Sequence, residues 1–130
     1  MIEPYIKKMA ETKLTEQKIN QLQLLEQNLQ NLSLQRQQFQ TQLIETENAL
    51  KELETAKQAY KIISNIMVLS DREELKKELN QRKEVIEIRI KNIEKQEEQL
   101  KEKSKNLQKE ILDSMKKKEV KNEQANTRDH

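Results

Sequence analysis

Glycine, cysteine and tryptophan are all missing from this sequence of 130 residues, and proline occurs once, at Pro4. Without cysteine, disulfide bonds and thiolate metal sites are excluded. A phosphate-binding loop of the Gly-rich kind cannot be formed without glycine. The aromatic residues are one phenylalanine and two tyrosines, which argues against an ordinary globular domain with a deep core.

An excess of charge of one sign is also missing, since 25 basic residues nearly balance 23 acidic ones. A chain this close to neutral has no strong field to attract nucleic acid or an anionic membrane, and we expect neither as a partner. No apolar run approaches the roughly 20 residues that span a bilayer, and residues 1–10 lack the apolar core of a secretion signal. The sequence therefore predicts a cytoplasmic protein.

The first half of the chain has a regular apolar repeat with alternating steps of three and four residues. This spacing is a heptad seam and predicts a helix over about 1–57. Continued toward the N terminus, the same register places Lys18, Thr15 and Glu11 on the seam, so the apolar residues before residue 19 lie off it. The seam consists of Leu22, Leu25, Leu29, Leu32, Arg36, Phe39, Leu43, Thr46, Leu50 and Leu53.

A second amphipathic segment predicts a helix over 71–115. Ser70 or Asp71 is a suitable N-cap, and Glu73 suits the positive end of the helix. The other seam positions include Lys83, Glu97 and Ser104, so this helix is weakly amphipathic. Residues 116–130 have no apolar periodicity and are predicted to form a flexible tail. The apolar seam residues are Leu75, Leu79, Ile86, Ile90, Ile93, Leu100, Leu107 and Ile111.

Between the two helices, residues 59–69 concentrate β-branched and other apolar side chains and predict a β-hairpin with a turn at Ser64-Asn65. Both faces of this hairpin are apolar and both edges are open, which invites pairing with another chain. We interpret it as an assembly element; the alternative is an apolar corner packed on its own coiled coil. The predicted pairs are Tyr60 with Leu69, Lys61 with Val68, Ile62 with Met67 and Ile63 with Ile66, and the predicted assembly residues are Tyr60, Ile62, Ile63, Ile66, Met67, Val68 and Leu69.

A hairpin centred between Ser64 and Asn65 also aligns the two heptad seams with each other. Leu50 then faces Leu79, and the polar residue Thr46 faces Lys83. The sequence therefore predicts one domain over 1–130 of mostly α class, a long antiparallel two-helix coiled coil joined by a central β-hairpin.

Residues that could carry out catalysis are scarce. There is no cysteine nucleophile, and the only histidine is His130, the last residue of the sequence. Acidic residues on exposed helices lack the burial that is typical of active-site carboxylates. We therefore expect no enzymatic activity, no catalytic residue, no cofactor and no metal site.

The hairpin stretch Ala59-Tyr60-Lys61-Ile62-Ile63-Ser64-Asn65-Ile66-Met67-Val68, together with Asp71 and the charged run to Leu79, resembles the beta-type subunits of prefoldin, especially the archaeal ones. The segment from Ile88 to Glu98 resembles the second helix of that family, and the likeness extends from about Gln17 to Ile111. One departure is Ser64, which stands where the family usually has glycine, so the turn must form without the freedom of glycine at positive φ.

The resemblance implies a molecular chaperone that acts without ATP. Its hairpins would assemble into an intersubunit β-barrel within a hetero-hexamer of two alpha-type and four beta-type subunits. It would hold unfolded proteins at the coiled-coil tips and transfer them to a cytosolic group II chaperonin. The alternative is a structural or tethering coiled coil without chaperone activity. The expected client-binding residues are Ile2, Tyr5, Ile6, Met9, Leu14, Ile111, Leu112 and Met115, with Val120 at the same end.

Overall fold

A computed structural model of the chain contains two long helices joined by one β-hairpin, which confirms the predicted fold class. It describes the backbone of residues 2–128 and the side chains of residues 2–116. Helix α1 spans Glu3–Thr55, strands β1 and β2 span Ala59–Ile63 and Ile66–Ser70, and helix α2 spans Arg72–Arg128.

The second helix is longer than the sequence predicts. The apolar periodicity predicts an end at residue 115, whereas α2 continues to Arg128. The reason is that no glycine or proline follows residue 115, and lysine, glutamate and glutamine all have good helix propensity. Residues 129 and 130, the end of the predicted flexible tail, lie outside the described residues.

The chain divides into two compact units, each containing part of α1 and part of α2. The hairpin unit comprises residues 32–96, and the terminal unit comprises residues 1–31 and 97–130. Every predicted seam position of α1 from Leu22 to Leu53 is buried or half-buried, which confirms the heptad register. The buried residues of the hairpin unit are Thr46, Leu53, Ala59, Ile86, Ile90 and Ile93, and those of the terminal unit are Glu97, Ser104 and Ile111.

Contacts between the helices of the hairpin unit show that they run antiparallel. The Arg89 guanidinium lies 5.5 Å from the centre of the Phe39 ring, a cation–π contact. Lys83 Nζ lies 3.8 Å from Glu47 Oε1. Glu47 follows Phe39 along α1, whereas its partner Lys83 precedes Arg89 along α2, so the two helices run in opposite directions. Both contacts lie within one residue of the register that the sequence predicts.

In the terminal unit the seam becomes polar toward the N terminus of α1. Lys18 and Thr15 are half-buried, whereas all described residues before Thr15 are exposed. Lys18 Nζ contacts Glu110 Oε2 at 3.4 Å. The apolar residues that precede Thr15 therefore lie off the seam, as the backward extension of the register predicts.

The hairpin has the predicted register, with Ile63 paired to Ile66 and Tyr60 paired to Leu69. Ser64 has a φ of 55° and is the one residue of positive φ in the described chain. A positive φ at the first central residue alone is typical of a type II′ turn, which suits the twist of a two-residue hairpin. For a residue with a Cβ atom this conformation costs roughly 1–2 kcal/mol.

We expect Ser64→Val to lower the free energy of unfolding by about 1–2 kcal/mol, because a β-branched side chain strongly disfavours positive φ. Ser64→Gly should change it by less than about 1 kcal/mol, since relief of the strain is offset by the larger backbone entropy of glycine in the unfolded chain. Urea unfolding measures both. Ser33→Val within α1 is the control, and equal stabilities for the valine and glycine variants at residue 64 would contradict the turn assignment.

Candidate assembly and client-binding surfaces

The predicted assembly residues lie together on the hairpin and are not covered by the rest of the described chain. Their exposed fractions run from 43% for Val68 to 68% for Ile62 and Met67. Because side chains alternate along a strand, this exposure extends over both faces of the hairpin. An apolar corner packed on its own coiled coil would bury one face, whereas residues of both faces are exposed here. We call Tyr60, Ile62, Ile63, Ile66, Met67, Val68 and Leu69 the hairpin surface.

The pairing register determines which backbone groups lie at the open edges of the hairpin. In a two-residue hairpin, the pair next to the turn exchanges backbone hydrogen bonds, and every second pair does the same. Here that pair is Ile63 with Ile66. The N–H and C=O groups of Tyr60 and Ile62 therefore point away from β2, toward the outer edge of β1. Such groups can pair with a further strand.

One polar contact attaches the hairpin to α2, and another joins the two helices next to the hairpin. Lys61 Nζ donates hydrogen bonds to both carboxylate oxygens of Glu78, at 3.0 and 2.8 Å. The Arg72 guanidinium, at the start of α2, donates to the backbone carbonyl of Glu54 near the end of α1. The Lys61 to Glu78 ion pair is solvent-exposed, so it contributes about 0–1 kcal/mol to stability, but it restricts where β1 lies relative to α2.

A groove runs between β1 and the helices of the hairpin unit. Its apolar lining includes Leu79, Val85 and Ile86. The sequence does not predict this groove, because the position of the hairpin relative to the helices depends on residues far apart in the chain. One signal was available, namely the apolar residue Val85 at a position off the seam. The groove is lined by Gln42, Glu45, Thr46, Ala49, Tyr60, Lys61, Ile62, Leu75, Glu78, Leu79, Gln81, Arg82, Val85, Ile86 and Arg89.

A second group of exposed apolar residues lies in the terminal unit. Seven of the eight predicted client-binding residues are at least half exposed, from 50% for Met115 to 74% for Tyr5. Ile111 differs, because only 8% of its surface is exposed and it occupies a seam position. Val120 lies outside the residues whose side chains the structure describes. We call Ile2, Tyr5, Ile6, Met9, Leu14, Leu112 and Met115 the terminal surface.

Heptad positions place most of the terminal surface on one flank of the helix pair. With Thr15 and Ile111 at position a of their helices, Tyr5 and Met115 occupy position e. In an antiparallel pair, the e positions of the two helices lie on the same flank. The neighbouring b positions hold Ile2, Met9 and Leu112. Both helices thus contribute side chains to the same flank.

None of the helices in the described part of the chain is long and apolar enough to cross a membrane. Among the described residues there is also no cluster of three or more histidine, cysteine or acidic side chains placed to bind a metal ion.

The fold and the hairpin surface define a class of proteins in which two long helices are joined by a central β-hairpin. The family described as "Prefoldin subunit" matches residues 16–125, and the chain belongs to this family. The crystal structure of the prefoldin beta subunit from Thermococcus strain KS-1 is similar, with a TM-score of 0.73 and 30% sequence identity over 78% of this chain and 91% of that one.

Curated relatives support the same assignment. The chain is 44% identical over 59 residues to the prefoldin subunit beta of Archaeoglobus fulgidus, a match that covers 43% of this chain and 51% of the relative. It is 42% identical over 48 residues to the prefoldin subunit beta of Sulfurisphaera tokodaii, with 37% of this chain and 38% of the relative covered. The matches thus span about half or less of the length of these relatives. They confirm the resemblance to beta-type subunits.

Proposed function

We propose that this chain is a subunit of a cytoplasmic chaperone that acts without ATP. Its hairpin surface joins it to alpha-type prefoldin subunits and to copies of itself in a hexamer of two alpha-type and four beta-type subunits. Its terminal surface holds unfolded proteins, which are then transferred to a group II chaperonin. The observation that carries the proposal is the exposure, in a member of the prefoldin family, of seven large apolar side chains that lie off the seam near the helix ends.

The hairpin surface supports the assembly part of the proposal. A two-stranded sheet is marginally stable by itself in water, and its open edges attract other strands. If several hairpins close into a barrel, the edges are paired and the apolar faces are removed from water. Seven apolar residues within two strands of five residues each supply the surface that such a barrel would bury.

The terminal surface supports the client-binding part of the proposal. Its side chains are apolar and differ in shape, and Met9 and Met115 are flexible enough to pack against varied surfaces. Each subunit would bind an unfolded segment weakly, and several subunits acting on one client would raise the overall affinity. Binding of this kind requires no nucleotide. Because Ile111 is buried, we assign it to the seam and not to the client-binding surface.

To test the function, the chain is mixed with an archaeal alpha-type prefoldin subunit and added to a chemically unfolded protein. We expect a hexamer by native mass spectrometry and suppression of client aggregation by light scattering. Changing Ile2, Tyr5 and Met9 together to serine should reduce that suppression about tenfold or more and leave the hexamer intact, since these residues are exposed and off the seam.

The control changes three other exposed apolar residues of α1, Leu24, Leu34 and Ile44, to serine; they are 58–59% exposed, against 69–74% for Ile2, Tyr5 and Met9. This control should protect the client as well as the unchanged protein does. Equal loss in both triple variants would show that general surface hydrophobicity, and not the terminal surface, is responsible. A tethering coiled coil would form no defined hexamer and would protect no client.

A further inference from the structure

The side of α1 away from the seam has an uncharged strip in the hairpin unit. Heptad positions b and f lie on that side of a helix. On α2 of the same unit, five of the seven b and f positions are charged, namely all except Gln81 and Ile88 among Glu74, Lys77, Gln81, Glu84, Ile88, Lys91 and Lys95. On α1 the corresponding positions are all exposed and hold no charge, and we call them the outer face of α1: Leu34, Gln37, Thr41, Ile44 and Asn48.

The outer face of α1 has the spacing and part of the composition of a second helix-packing seam. Its positions are separated by alternating steps of three and four residues, as in a coiled coil. Leu34 and Ile44 are 59% and 58% exposed, and the two uncharged polar residues Gln37 and Thr41 lie between them. The strip can therefore pack against one further helix.

We propose that the outer face of α1 packs against the same face of a second copy of this chain, with the two α1 helices antiparallel. Charge determines this choice of occupant. A carboxylate or ammonium group placed against the strip would lose water without gaining an opposite charge, which disfavours a charged face such as that of α2. The outer face of a second α1 brings no charge, and its amide and hydroxyl groups both donate and accept hydrogen bonds.

A hydrogen bond within α1 favours the antiparallel direction. Thr41 Oγ1 donates to the backbone carbonyl of Gln37 at 3.0 Å, so the hydroxyl retains only its capacity to accept. Parallel helices in register would place two such hydroxyls opposite each other with no donor between them. Antiparallel helices centred on position 39 place the Gln37 amide of one copy opposite Thr41 of the other, where its N–H can donate to Oγ1.

The same antiparallel register suits the other residues of the strip. Leu34 of each copy lies opposite Ile44 of the other, which is the self-complementary arrangement that a two-fold axis requires. Lys51, the next b position after Ile44, would face Lys51 in the parallel arrangement, whereas the antiparallel one places the two lysines at opposite ends of the contact. Ten residues of helix span about 15 Å, so the interface is small and we expect weak, concentration-dependent association.

Single cysteines can test this contact, because the chain has none of its own. Leu34→Cys and Ile44→Cys chains, one of them labelled with nitrogen-15, are mixed and oxidised with copper phenanthroline, and the disulfides are counted by mass spectrometry. All chains carry Ile66→Lys, so that the hairpin surface does not bring copies together and the result does not depend on the proposed function. We expect the 34-to-44 disulfide to exceed either like disulfide about fivefold or more.

The matched control is Ile88→Cys, since Ile88 is also 59% exposed and occupies position f, but among the charged residues of α2. It should form disulfides only at the rate of random collision. In a second comparison, Gln37→Glu on the Leu34→Cys chain should reduce the 34-to-44 disulfide about threefold or more, because the carboxylate faces an uncharged strip. Thr41→Lys on the Ile44→Cys chain should restore it, and Gln81→Glu in place of Gln37→Glu should leave it unchanged.

Three outcomes would overturn the inference. Disulfides no more frequent than those of Ile88→Cys would show that the outer face of α1 does not contact a second copy. An excess of the two like disulfides would show a parallel contact. If benzophenone attached at position 34 captures an added alpha-type subunit or an unfolded protein in place of a second copy, the occupant is wrong. Each of these results leaves the hexamer and client-protection measurements to decide the proposed function separately.

Discussion

Replacing Ile66 with lysine is expected to reduce assembly with an alpha-type subunit by about a hundredfold or more. Ile66 lies beside the turn and is paired with Ile63. Because 67% of it is exposed, the change should have little effect on the stability of the separate subunit. In an assembled barrel the lysine ammonium would be removed from water without a partner, which costs several kcal/mol. Sedimentation or native mass spectrometry at a series of subunit concentrations measures the effect.

The matched control for this experiment is Ile88→Lys, which introduces the same side chain at an exposed isoleucine of α2. This variant should assemble with unchanged affinity. If the two lysine variants behave alike, or if Ile66→Lys still forms the hexamer at the concentration that suffices for the unchanged protein, the hairpin surface is not the interface.

The second large effect concerns the stability of the helix pair. Ile93 is 7% exposed and lies on the α2 seam of the hairpin unit. We expect Ile93→Ala to lower the free energy of unfolding by about 2–4 kcal/mol, from lost burial and the cavity left between the helices. Since the net stability of a domain is about 5–15 kcal/mol, this is a large fraction of it. Urea unfolding followed by circular dichroism measures the change.

Ile88→Ala is the comparison, because it removes the same atoms from an exposed position of the same helix. It should alter the free energy of unfolding by about 0.5 kcal/mol or less. Similar losses from the two alanine variants would mean that α2 is stabilised by its intrinsic helix propensity and not by the seam.

The seam and the hairpin register could be predicted from the sequence because both follow from strict periodicity. A shift of one residue would move every side chain of a strand to the other face, so the two-residue turn and the apolar pattern together restrict the strands to one pairing register. The heptad on α1 was equally restrictive, and it correctly placed Thr15 and Lys18 on the seam and the apolar residues before them off it.

Other features could not be read from local patterns. The groove depends on where β1 lies relative to α2, and that position involves the contact of Lys61 with Glu78, two residues far apart in the chain. The true end of α2 was missed because the loss of apolar periodicity does not end a helix in which no residue breaks it. Ile111 is a different case: it lies seven residues after the seam residue Ser104, so the heptad alone implied its burial.

The buried polar residues Glu97 and Ser104 affect the stability of the terminal unit. Each occupies a place where an isoleucine, as at Ile90 in the hairpin unit, would contribute about 1.5–3 kcal/mol through burial. We therefore expect local opening of the terminal unit to cost less free energy than it would with isoleucine at these two positions. Under the proposed function, helix ends that open at low cost would change the spacing of their apolar side chains, and one surface would then accommodate polypeptides of different sizes.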